Sequence, residues 1–281
     1  MKYEGFTTFK VAIDNAIATV TFDYPPVNIQ GLPMLSDLDM LAQKLEADRS
    51  VKVVVFQSAN PDIFVAHADT EFLKDMSAKP VHRSEVELLD LQRVLERISK
   101  LPQASIAKIE GYARGGGHEF AQACDMRFAA RGKAKFMQME VGMGILPCGG
   151  GASRMARQAG LGVALEIILG ARDFDADQAE AWGTVNKALN ADEIGPYVDA
   201  LAKRIALWPS QSIEACKMAV HASIDEPIDE ALKTEAYWLY QATSQTPALK
   251  RFKWADEQGA QFDMDNQHAW EKLVEGVQEV N

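Results

Sequence analysis

Three consecutive glycines, Gly115-Gly116-Gly117, join a predicted strand to a predicted helix, and no other stretch restricts the fold as much. The apolar run Ala104-Ser105-Ile106-Ala107-Lys108-Ile109 predicts the strand. Phe120, Ala121, Ala123 and Cys124 carry the small and apolar spacing of a helix start. Glycines have no Cβ, so a backbone built from them can come close to a ligand. A helix N-terminus also leaves amide donors unpaired, and its dipole favours negative charge in front of them. Glu119 lies directly inside the predicted helix. Alone it reads equally well as an acidic neighbour of the helix start. A second carboxylate, Glu140, precedes another glycine-rich loop that runs from Gly142 to Gly151.

The rest of the chain repeats short strand and helix units. Phe9–Ile13 and Ile17–Phe22 alternate around Asp14-Asn15-Ala16 and predict a hairpin. Pro25-Pro26 breaks the second strand. Leu35, Leu38, Leu41 and Leu45 predict a helix over 32–47, and the β-branched run 51–58 predicts a strand buried on both faces. A loop over 60–69 leads to a helical segment near Thr70, and Lys79-Pro80 marks another loop. A longer amphipathic helix is expected from Ser84 to Lys100, with Val86, Leu89, Leu91, Val94, Leu95 and Ile98 on its apolar side. Short strands follow at 126–130 and 135–137, then helices at 152–159 and 162–169. Capping acids at Asp175 and Asp177 precede a further helix, and 185–189 is a last short strand. Past Pro196 the pattern is only helical, over 197–207, 210–222 and 228–243, before a charged tail. Crossover units followed by helices alone predict an α/β core with a helical C-terminal part, divided at about 1–195 and 196–281.

Composition excludes several classes of function. With 29 basic against 40 acidic residues the formal charge is −11, which argues against nucleic acid or an anionic membrane as the main partner. Cys124, Cys148 and Cys216 are odd in number and far apart, which fits neither a disulfide framework nor zinc-ligand spacing, so a reducing, cytoplasmic setting is expected. No run reaches the length of a membrane span, and the N-terminus lacks the basic and apolar regions of a signal peptide. The contiguous glycines do not follow G-x-G-x-x-G, and no Walker lysine follows either loop, which disfavours a dinucleotide or P-loop site.

Taken together, Pro26-Val27-Asn28 with Met34-Leu35, the Phe-x-Ala-x-Ala-Asp run from Phe64 to Asp69, Gly-Gly-Gly-x-Glu at Gly115 to Glu119, Cys124-Asp125, and Glu140 with Gly144-x-x-Pro147 resemble the crotonase (enoyl-CoA hydratase/isomerase) superfamily. The match runs over residues 8–220, about three quarters of the chain, and its order and spacing make it specific. The resemblance implies a crotonase-like α/β spiral of ββα units with a C-terminal helical region that serves oligomerisation and covers coenzyme A. It implies an acyl-CoA thioester as ligand, coenzyme A as part of the substrate with no tightly bound cofactor, and a homotrimer or homohexamer. Two main-chain amides that hold the thioester oxygen map onto Ala68 and Gly116. The two hydratase glutamates map onto Glu119, mainly for the water, and Glu140, for the Cα proton. Val27, Ala66, His67 and Asp69 would line the substrate, as would Gly115, Leu146 and Pro147.

Both glutamates together favour hydration, because family members that only shift a double bond manage with one carboxylate at the Glu140 position. The alternatives are a Δ3–Δ2 enoyl-CoA isomerase, another enolate enzyme such as a hydrolase or decarboxylase, or a non-catalytic binding protein on the same fold. An extra residue near Ala129-Ala130-Arg131-Gly132 is placed in a turn; elsewhere it would bring Met139 into the Glu140 slot. His67 stands where the family usually has glycine, and it either fills a surface niche or narrows the acyl channel. His118 reads as a packed helix residue, and a metal cluster of His67, Asp69, His118 and Glu119 is not expected. No basic residue accompanies the Tyr24-Pro25-Pro26 turn, so coenzyme A phosphates would fall to Lys250, Arg251 or Lys253. Arg114 reads as a surface or interface charge, and Tyr237, Trp238 and Tyr240 as core or interface.

Overall fold

The computed structural model describes residues 2–73, 81–261 and 263–277. Its first compact unit, Met1–Ala202, is organised by two sheets. β1 (Phe9–Asp14) and β2 (Ile17–Phe22) form the expected antiparallel hairpin. β3 (Val53–Ser58), β5 (Ala104–Ile109), β7 (Met126–Ala130) and β10 (Lys187–Leu189) then extend the sheet in parallel, in the order β1-β2-β3-β5-β7-β10. A second sheet holds β4 (Ile63–Val65), β6 (Tyr112–Arg114), β8 (Lys135–Met137) and β9 (Phe174–Asp175). Successive strands alternate between the two sheets before each helix, which is the spiral of ββα units. The three-residue strands β4 and β6 escaped the sequence reading because they lie inside the 60–69 loop and directly before the glycine run, where only pairing in the second sheet makes them strands.

Helices close each turn of the spiral. α1 (Leu32–Ala47) buries Met34, Leu35, Leu38, Leu41 and Leu45, the face its leucine spacing predicts. α2 covers only Asp90–Ser99, not the expected 84–100. Val86 is 60% exposed and Leu89 is extended, so the apolar spacing before Asp90 has no surface to pack on. A helix that short of tertiary contacts does not propagate. The segment after Asp69 is a 3-10 turn, Thr70–Leu73; its predicted continuation and the Lys79-Pro80 loop lie outside the described residues. α3 (Gly116–Ala123) follows β6. α4 (Gly151–Gly170) is two helices broken at Gly160, matching the two that were expected, and α5 (Ala176–Ala181) is capped by Asp175, which accepts from Gln178 N.

Aromatic packing fixes α3 against both sheets. Phe120 on α3 meets Phe56 of β3 edge-on at 5.0 Å, Phe22 of β2 at 5.3 Å and Phe64 of β4 at 6.2 Å. All four rings are fully buried. Gly117 allows this approach, since a Cβ there would stand 1.9 Å from Val65 O. Buried Arg127 donates to Cys124 O and Ala121 O, so a cation closes the C-terminal end of α3.

α6 (Ile194–Ala206) ends the first unit and opens the second, Lys203–Asn281. There α7 (Ser210–Asp225) packs along α8 (Ile228–Gln245). The presumed charged tail forms α9 (Ala248–Glu257), α10 (Met264–His268) and α11 (Trp270–Gly276). Arg204 pairs with Glu275 and Glu271 across that unit. Among the described residues no helix is long and apolar enough to cross a membrane.

Candidate active site

The glycine-rich turn places Glu119. Gly115, with φ +45°, caps α3, and its N–H donates to Met137 O of β8 at 2.8 Å. Glu119 in the first turn is 2% exposed. Its Oε1 accepts from Gly149 N at 2.7 Å and Gly151 N at 2.8 Å, the backbone that opens α4. Burial, reinforced by the nearby Glu140 carboxylate, pushes its pKa up to about 7 against the pull of those two amides.

Glu140 opens a 3-10 turn, Glu140–Met143, directly after β8. The Cβ that Gly115 lacks would stand 2.7 Å from Glu140 Oε1, and Oε2 is buried with no protein partner. Burial raises this carboxyl too. Half-buried Cys148 lies in the field of both acids, which add to its burial in pushing the thiol up. Glu140 therefore stands beside the glycine turn.

Two main-chain amides face the same region. Ala68 bridges Gln30: Gln30 N donates to His67 O and Asp69 N to Gln30 O, each at 2.9 Å, and this pairing skips Ala68 N. Among the described residues neither Ala68 N–H nor Gly116 N–H meets an acceptor. A Cβ on Gly116 would lie 2.8 Å from Ala68 N, so the two turns meet as closely as backbone permits.

The other predicted residues divide. Val27 and Ala66 take part through their backbones, Ala66 N donating to Val27 O and Arg114 N to Ala66 O. His67 stands at the site: its Nδ1 donates to Ala68 O at 2.9 Å, its Cβ is 3.5 Å from the same missing Gly115 Cβ, and its imidazole favours the ionised Glu140. Asp69 is engaged locally, with Oδ1 accepting from Glu71 N to cap the 3-10 turn. Pro147 is buried against Gly151, whereas Leu146 is 64% exposed.

His118 packs between Phe136 and Phe174, with its pKa pushed down to about 3 by burial, as a core histidine would be. Arg114 forms a two-point ion pair with Asp173 and stacks on Tyr112. Among the described residues no three His, Cys, Asp or Glu side chains are placed to share a metal ion. A separate cleft of about 270 Å³ beside the Tyr24-Pro25-Pro26 turn is lined by Asp23, Tyr24, Asn28 and Asn60 and includes neither glutamate. Sequence reasoning passed over Gln30, a fully buried amide against Gly116, because no signal in the local sequence marks it.

The family model for enoyl-CoA hydratase/isomerase matches residues 12–261. The chain belongs to that family. It is 32% identical over 224 residues to the short-chain-enoyl-CoA hydratase of Clostridium acetobutylicum, covering 79% of this chain and 84% of that protein. It is 35% identical over 189 residues to the crotonyl-CoA hydratase of Syntrophomonas wolfei, covering 67% and 71%. The crystal structure of an enoyl-CoA hydratase from Geobacillus kaustophilus superimposes with a TM-score of 0.83 at 25% identity, over 91% of this chain and 96% of that one. The fold is thus the crotonase spiral of the enoyl-CoA hydratase/isomerase family.

Proposed function

We infer that the chain is an enoyl-CoA hydratase, a lyase that adds water across the α,β double bond of an enoyl-CoA thioester. One observation carries this reading: a buried carboxyl with its pKa near neutrality and a second, half-buried one stand beside two unpaired main-chain donors. Water oxygen bonds to Cβ while Glu119 accepts its proton. The π electrons move to the thioester oxygen, where Ala68 N–H and Gly116 N–H hold the developing enolate. Glu140, carrying a proton, delivers it to Cα as the enolate collapses. Each acid–base group can contribute about 10²–10⁴ in rate, and one oxyanion donor about 3 kcal/mol. Raised pKa values in both acids support a pair that keeps one proton between them near neutral pH.

These steps draw on no metal or tightly bound cofactor; coenzyme A enters as part of the substrate. The backbone of Ala66 and Gly115, the His67 imidazole and Pro147 are proposed to border the acyl group. We also propose a cytoplasmic homotrimer or homohexamer assembled through the helical region, supported by the exposed Leu232, Tyr237 and Tyr240 on α8. Loss of the conjugated enoyl-thioester absorbance on adding enzyme to crotonyl-CoA tests the activity. Growth of that absorbance from a Δ3-enoyl-CoA, without hydration, would replace hydratase with isomerase.

A further inference from the structure

Gln30 has its main chain fully committed, through the bonds to His67 and Asp69, while its side chain is not. The side chain is 0% exposed, and neither Oε1 nor Nε2 has a hydrogen-bond partner. Among the described residues it is the one carboxamide with both polar atoms buried and unpaired. Burial without partners forfeits the solvation of both atoms, and an apolar residue of the same length would carry no such cost. The head group lies against the glycine turn: a Cβ on Gly116 would meet Gln30 Oε1 at 2.3 Å and Ala68 N at 2.8 Å. The carboxamide and the Ala68 amide therefore converge on one point beside Gly116, whose own N–H is unpaired.

We propose that Gln30 is a third hydrogen-bond donor to the thioester oxygen, turning its Nε2 group onto that atom beside Ala68 N–H and Gly116 N–H. This rests on the hydratase reading above. Neither end of the amide is held by protein, so rotating it breaks no hydrogen bond, and the ligand decides which end faces inward. The oxygen carries little charge in the bound enoyl thioester and most of a negative charge in the enolate. A donor aimed at it gains strength along the reaction, so its effect belongs in kcat more than in KM.

The test compares wild type with Gln30→Met, which keeps the length and removes the donor. Hydration of crotonyl-CoA is followed by absorbance. Binding is measured for acetoacetyl-CoA, which ionises to an enolate with its own absorption band, and for saturated butyryl-CoA. The expected result is a kcat lowered about 10²-fold with little change in KM. The preference for the enolate ligand over butyryl-CoA should fall by a similar factor. Unchanged kcat and preference with a raised Tm would overturn the proposal, leaving Gln30 as a burden on the fold only. Equal weakening of both ligands would overturn it too, in favour of pocket shape. If Gln30→Met does not fold, Gln30→Asn, which withdraws the donor by one methylene, is read the same way. If wild type hydrates no enoyl-CoA, the hydratase reading fails, while the enolate preference of the two proteins still decides the role of Gln30.

Discussion

The α/β unit and the helical unit solve burial differently. In the first, four phenylalanines lock α3 to both sheets, and most strand and helix apolar residues are inaccessible to solvent. In the second, the buried apolar residues among those described are Ile213, Ala215, Ala222, Ala231 and Ala260, nearly all of them small. Many of its larger apolar side chains, including Leu232, Leu239, Leu249 and Phe252, are exposed, and Tyr240 is 72% exposed. A unit with its own packed core can hold reacting groups to a fraction of an ångström. A unit that keeps its large apolar groups outside has surface to spend on another chain. The contrast teaches that precision for chemistry and capacity for association are built into different parts of this sequence.

The largest effect expected from breaking this contrast is on chemistry in the first unit. Glu119→Gln and Glu140→Gln should each lower kcat about 10²–10⁴-fold in the crotonyl-CoA assay, without loss of fold by circular dichroism. Near-wild-type turnover in both would remove the carboxylate pair from the mechanism. Next is packing: Phe120→Ala empties the centre of the aromatic cluster and should cost about 3–5 kcal/mol in urea unfolding. A cost below about 1 kcal/mol would show that the cluster does not anchor α3.

A pH-dependent effect of intermediate size follows from Glu119. Its pKa is about 7 in the fold against 4.5 for an ordinary glutamate. Between those values the folded chain keeps a proton that the unfolded chain has released, so this residue's contribution to stability falls as pH rises through that window. Glu119→Gln abolishes the loss. Relative to wild type, the variant should gain stability on going from pH 4 to pH 8, by an amount on the order of 3 kcal/mol or less. Parallel Tm curves for the two proteins across that range would contradict the raised pKa. The smallest effect on the isolated chain sharpens the other side of the comparison. Tyr240→Ser should change chain stability by less than about 0.5 kcal/mol, yet shift sedimentation toward smaller species. An unchanged oligomer would place the interface elsewhere.

Legibility in the sequence followed the same divide. α1, β5, β7 and β8 had ends that were readable to the residue from local pattern alone. The glycine turn and Glu119 were readable because glycine runs and an adjacent acid have few other uses. What escaped depends on contacts distant in the chain. β4 and β6 exist only through pairing within the second sheet, β4 with β6 and β6 with β8, and α2 is shortened because Val86 and Leu89 find nothing to cover them. That the Asp69 carboxylate also caps the following turn was not legible from the motif either. Gln30 was invisible because nothing in its neighbours in sequence reports that it meets Gly116. The tail helices carry mixed charge and an incomplete apolar face, a pattern that resolves only once the chain folds.

The anchor of Glu119 has a consequence for how such a protein can change. The groups gripping its Oε1 are the amides of Gly149 and Gly151, where a Cβ would stand 2.6 and 2.7 Å from the carboxylate, so both positions are held to glycine, while no side-chain replacement elsewhere can subtract the two donors. Drift in the residues that contour the cavity can then proceed without dislodging the acid, so a lineage built on this scaffold is free to explore new thioesters while its proton chemistry stays where it is.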